Sequence, residues 1–135
     1  MKEAIIHPTH YKKSKYEVWD VNIAFDLPYC LADAVKYIVR AGVKDKTKEV
    51  EDLQKAIAFI QREMERLRNN EYYGLSIVSN DELLNDVLAD WDLNEYRRLA
   101  LEEIFNTQKT SDISVRIIKL FHAIGFLKVE YVKIL

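Results

Sequence analysis

The clearest pattern in the chain begins at Leu31. Leu31, Val35, Ile38, Val39 and Gly42 recur at helical spacing, and Gly42 is a natural C-terminal stop, so a helix is predicted from Leu31 to about Ala41. AGVKDKTK follows as a loop. Thr47 then stands as an N-cap for a long helix over Lys48–Asn69. Its apolar positions Val50, Leu53, Ile57, Ile60, Met64 and Leu67 form one seam, of the kind that packs on a neighbour or on a second subunit. The flanks are less regular. A short helix is predicted over Tyr16–Phe25, ended by the approach to Pro28, since the residue before proline avoids the α region. NNEYYGLSIVS interrupts the helical pattern, with Leu75–Val78 readable as a short strand. Ser79 with Glu82, and Asp92 with Glu95, have capping-box spacing and open helices to about Trp91 and Asn106. Ser111 opens a further helix to about Ala123, stopped near Gly125, and the tail FLKVEYVKIL reads as strand or helix.

The expected fold is therefore an all-α domain with an N-terminal arm and at most one or two short strands. Residues 1–135 are read as one domain, with a basic arm at 1–15, a helical core at 16–69 and additional helices at 70–135. Three glycines and two prolines in 135 residues agree with long helices rather than a turn-rich β fold. A single cysteine, Cys30, excludes an internal disulfide framework and any zinc site built on several cysteines. No apolar run has the length of a signal peptide or a membrane span, so a cytoplasmic location without membrane partners is expected.

A net charge of −2 makes nucleic acid an unexpected partner, but the charge is unevenly spread. Residues 31–70 carry nine basic and seven acidic side chains, whereas 71–106 carry two and nine, so a small anion can still find a local basic site. There is no Gly-rich phosphate loop and no H-E-x-x-H. A phosphate site here has to be built from side chains. Lys36 and Arg40 are four apart on one helix, with Asp33 and Tyr37 beside them, and Asp52 and Lys55 are three apart on the next. Two helices joined by a short loop would bring these pairs together as a cationic pocket with a carboxylate. The same spacing also describes an ordinary solvated face.

The histidines are read in the same way. His7 and His10 flank Pro8 outside any regular helix, and no third ligand accompanies them, so a metal site is not expected there. His122 lies in the apolar run LFHAIGF and is read as a core histidine. Glu82, Asp86 and Asp90 form an acidic stripe, read as a solvated face before a Mg²⁺ site completed by Glu102 or Glu103.

Three motifs in order, HPTHYKK at 7–13, KYIVRAGVK at 36–44 and EDLQKA at 51–56, resemble the SaV-like domain family of phages. That family includes an early nucleotide kinase without a P-loop. The resemblance spans about residues 6–68. It implies phosphoryl transfer from a nucleoside triphosphate, brought with Mg²⁺, to a (deoxy)nucleoside monophosphate in the host cytoplasm. It implies His10, Asp52 and Lys55 as catalytic residues and Tyr11, Lys36, Tyr37 and Arg40 as substrate-binding ones. Lys36, Arg40 and Lys55 would hold phosphates, Asp52 the Mg²⁺ or the acceptor, and Tyr11 or Tyr37 would stack on the base. Two other readings stay open: a nucleotide-sequestering binding protein, and an all-α nucleoside triphosphate pyrophosphohydrolase. A homo-oligomer through the 50–67 helix is expected in each case.

Overall fold

The computed structural model describes residues 14–69 and 75–135. Among them are six helices and no strand: α1 (Val18–Ala24), α2 (Tyr29–Arg40), α3 (Glu49–Arg68), α4 (Asp81–Trp91), α5 (Glu95–Asn106) and α6 (Ile113–Ile134). Short 3₁₀ turns at Lys46–Lys48 and Thr107–Lys109 lead into α3 and out of α5. The all-α fold expected from the periodicity is the fold found.

α2 and α3 turn back on each other through residues 41–48, α6 lies against both α3 and α5, and α1 and α4 flank this core. The seam of α3 faces inward. Leu53 and Ile60 are fully buried and Ile57, Met64 and Leu67 nearly so, covered by α2 and α6 of the same chain. Each such side chain contributes about 1.5–3 kcal/mol by leaving water. The seam therefore finds its partner within the chain, and the inference from it to a subunit contact loses its ground.

The turn between α2 and α3 needs Gly42. Its φ of +74° lies in the left-handed region, and a Cβ there would sit 2.9 Å from the Glu49 side chain. Glu49 cannot give way easily, because it belongs to a buried ionic group. Arg97 of α5 donates from Nη2 to Glu49, from Nε to Glu130 of α6 (3.3 Å), and from Nη1 to the carbonyls of Ala41 (3.0 Å) and Ile38 (3.3 Å). Asn94 also donates to Glu130. The guanidinium thus satisfies carbonyls at the end of α2, which no further helical turn can reach, and bridges two buried carboxylates, to which Lys46 and Lys133 bring further positive charge at 3.0 and 4.0 Å.

A second buried arginine closes the opposite side. Arg116 donates from Nε to the Thr110 carbonyl (2.7 Å), from Nη1 to Gln108 Oε1 (3.0 Å) and from Nη2 to the Ser76 carbonyl (2.7 Å). Gln108 Nε2 in turn reaches the carbonyls of Phe25 (3.1 Å) and Asp26 (2.9 Å). This clasp holds 75–80 as an extended connection in place of the strand expected at Leu75–Val78, with a single backbone bond from Val78 N–H to the Gln108 carbonyl (2.8 Å).

Several helix boundaries differ from the sequence expectation. Asp45, not Thr47, is the cap, accepting from the Thr47 amide at 3.0 Å ahead of the 3₁₀ turn. Asn80, Asn94 and Asp112 cap α4, α5 and α6, in place of Ser79, Asp92 and Ser111. Asp92 instead ends α4 in the left-handed conformation. Gly125 does not stop α6, which runs on to Ile134 as one helix. Gly125 is exposed with open space around its Cβ position, while Leu127 and Glu130 beyond it are buried, and their burial outweighs a mid-helix glycine.

Candidate functional site

The face where α2 and α3 run side by side places four of the expected residues together. Tyr37 of α2 is half-buried and stacks on Phe59 of α3, with ring centroids 5.8 Å apart and planes 15° from parallel. Around the same Tyr37 ring stand Lys36 Nζ at 5.2 Å, the Arg40 guanidinium at 5.5 Å and Lys55 Nζ at 5.6 Å from the centroid. Spacing within each helix explains this. Arg40 follows Lys36 by four residues on α2, and Phe59 follows Lys55 by four on α3, so each helix presents one stripe to the shared edge.

Electrostatically this is an incomplete arrangement. Three cations surround one ring, whose quadrupole attracts each of them but does not neutralise them. Lys36 has a carboxylate partner in Asp33 at 3.7 Å. Among the described residues, neither Arg40 nor Lys55 has a carboxylate within 4.0 Å. Asp52, one turn before Lys55 on α3, is likewise without an ion-pair partner among them.

Lys36 and Arg40 also form one wall of a cleft of about 550 Å³ between α1 and α2. Trp19, Ile23 and Tyr29 line it with 69%, 67% and 80% exposure, unusually high for side chains of their size, and Glu17, Val18, Asn22, Ala32 and Asp33 complete it. The sequence pattern did not single out these three. Trp19 and Ile23 are four apart on α1 and lie off the face that buries Val21 and Phe25, and that spacing is the signal that could have marked them.

The other expectations are met unevenly. His10 and Tyr11, with the rest of the HPTHYKK motif, lie outside the described residues. His122 is on the surface, not in the core, 3.5 Å from Glu103, because α6 turns Leu120, Ala123, Ile124 and Leu127 inward. The acidic stripe is divided among other duties. Asp90 accepts from the Lys15 and Tyr16 amides at 3.0 and 2.9 Å, and Glu102 pairs with Arg98. Among the described residues, no group of three or more His, Cys, Asp or Glu side chains gathers as metal ligands do. Nor is any described helix long and apolar enough to cross a membrane.

A second polar cavity, of about 300 Å³, is lined by Cys30, Glu63, Gln108 and Arg116 among others. Burial pushes the Cys30 thiol up, with the nearby Glu63 charge adding to the effect, and desolvation lowers the Arg116 guanidinium from its ordinary value. Arg116 already spends its Nε, Nη1 and Nη2 on the clasp, and Glu63 takes a two-point contact from Arg66. Its polar groups are thus engaged in holding the fold.

No curated protein and no solved structure matches the chain. A sequence model of the family described as a protein of unknown function, DUF3310, matches residues 5–64. The chain is thus similar to that family over the segment that carries α1, α2 and most of α3, and with them Lys36, Tyr37, Arg40, Asp52 and Lys55.

Proposed function

We propose that the chain binds a nucleotide through the Lys36–Arg40–Lys55 face and transfers a phosphoryl group from a nucleoside triphosphate to a (deoxy)nucleoside monophosphate. The observation that carries this reading is the convergence of three cations from two helices on one aromatic ring, two of them without a carboxylate partner among the described residues. Phosphoryl transfer asks a protein chiefly for positioning and for positive charge around the moving group, and such a face supplies both. The ordered motifs of the SaV-like family point the same way.

Mg²⁺ fits this face as a companion of the triphosphate. It is commonly held by one or two carboxylates together with substrate phosphates, and Asp52, one turn before Lys55, has no ion-pair partner among the described residues. Lys36 and Arg40 would then orient phosphate oxygens, and Lys55 would stabilise the charge that develops on transfer. His10 and Tyr11 are assigned to the same reaction on the motif alone.

Asp33 is engaged by Lys36, which leaves Asp52 as the carboxylate without an ion pair among the described residues, and this favours a second reading, in which the chain holds a nucleotide without turning it over. Incubating the protein with ATP, Mg²⁺ and each deoxynucleoside monophosphate, then resolving the products by chromatography, separates the readings. Diphosphate products are expected from the kinase. Binding by calorimetry with no product identifies the sequestering protein. Monophosphate and pyrophosphate released from a triphosphate alone would replace both with a pyrophosphohydrolase.

A further inference from the structure

Tyr37 is poorly placed to stack on a base, since it is already stacked on Phe59 and surrounded by three cations. A nucleotide held at Lys36 and Arg40 needs another apolar surface for its planar part. The α1–α2 cleft has one. Lys36 and Arg40 are common to the cationic face and to the cleft wall, so a phosphate on them leaves the rest of a ligand facing Trp19, Ile23 and Tyr29. At about 550 Å³ the cleft is of the size that encloses a small ligand. It combines two exposed aromatic rings with the cations Lys36 and Arg40; Glu17 and Asp33 also lie in its lining, and with Asp33 paired to Lys36, Arg40 is the cation that best meets a ligand flat and apolar at one end and anionic at the other. Its lining also carries an unmet hydrogen-bonding demand. Asn22 donates from Nδ2 to the Ala32 carbonyl at 3.2 Å, while its Oδ1 is buried with no partner among the described residues.

We infer that the α1–α2 cleft is the base-binding half of the nucleotide site, with Trp19 and Tyr29 as the stacking surfaces and Lys36 and Arg40 as the link to the phosphates. This rests on the nucleotide-binding reading above and names which part of the molecule selects a nucleotide over a bare phosphate. Base–aromatic stacking is sequence-tolerant, so the cleft distinguishes nucleotides from sugar phosphates more sharply than one base from another.

Trp19 supplies its own probe, because the only other tryptophan, Trp91, is buried. The full chain would be titrated with deoxynucleoside monophosphates and, separately, with ribose 5-phosphate, following tryptophan emission and heat. Nucleotides are expected to quench the emission and to bind at least tenfold more tightly than ribose 5-phosphate. Trp19→Ala and Tyr29→Ala should each weaken nucleotide binding about tenfold while leaving ribose 5-phosphate unchanged, with circular dichroism confirming that the helices persist. Equal affinity for both ligands, untouched by either substitution, would overturn the base site and leave the phosphate site standing. Absence of binding by any phosphate compound would remove the nucleotide reading and this inference together. A change of oligomeric state in Trp19→Ala, without an effect on nucleotide, would give the cleft to a second copy of the chain and overturn the inference.

Discussion

Arg40 and Lys55 reach the Tyr37 ring from different helices, and this decides how their removal should read out. Both side chains are exposed or partly so, and neither has an ion pair among the described residues to break, so truncating them should leave the fold intact. Lys36→Ala and Arg40→Ala are each expected to weaken nucleotide binding roughly ten- to a hundredfold in calorimetry, the range of a charge-assisted hydrogen bond. Binding should also fall as salt rises. The buried Arg97 behaves in the opposite way. Arg97→Met leaves Glu49 and Glu130 with only the exposed Lys46 and Lys133 ammonium groups, at 3.0 and 4.0 Å, and is expected to lower stability in urea by about 3–5 kcal/mol. Cys30 offers a pH test. The thiolate is the reactive form, and burial raises the thiol's pKa, so alkylation at pH 8 should be slower than for a free cysteine. Its rate should climb through a midpoint above the ordinary cysteine value. At this scale the charged face was legible in the sequence because helical spacing alone brings Lys36 to Arg40 and Lys55 to Phe59. Arg97 and Arg116 were not, because an arginine carries no mark of burial in the sequence until the carbonyls and carboxylates it satisfies are known.

Among the helices, the two long inward faces and the ends at Trp91 and Asn106 were read correctly, and the capping residues and the stop at Gly125 were not. Asn80 and Ser79, or Asp112 and Ser111, are neighbouring residues of similar capping chemistry, so spacing leaves a one-residue ambiguity that only the backbone resolves. Gly125 misled for a different reason. A glycine was read as a stop, whereas α6 continues because the residues after it are buried. Gly125→Ala is therefore expected to stabilise the protein by about 1 kcal/mol and raise the melting temperature, as the added methyl meets open space in a helical backbone. Gly42→Ala should do the reverse, by about 1–2 kcal/mol or more, since its positive φ and the nearby Glu49 both resist a side chain. The pair of substitutions, measured by thermal unfolding, tests whether the two glycines differ as their surroundings say.

For the molecule as a whole, a single apolar core runs from Val21 to Leu127 and draws on every helix described. The expectation of a subunit contact along α3 arose because sequence periodicity shows that a seam exists without showing what fills it. Here α6, contributed by the far end of the chain, covers much of it. A fragment ending at residue 69 would expose Leu53, Ile60 and Leu67 and lose both Arg97 and Glu130. It should lack a cooperative melting transition, while the full chain shows one.

The reach of Arg97 has a consequence for how such sequences diverge. The segment matched by the DUF3310 family ends at residue 64, yet the carbonyls closing α2 and the Glu49 carboxylate depend on a guanidinium supplied from α5. Any chain that keeps the first half while replacing the second must bring its own cation to that spot, or exchange Glu49 for a neutral side chain. The second half is thus tied to the first by this group as well as by the Gln108 clasp and the packing of α6, and relatives sharing only the first half should show either another cation near Glu49 or a neutral side chain at its position.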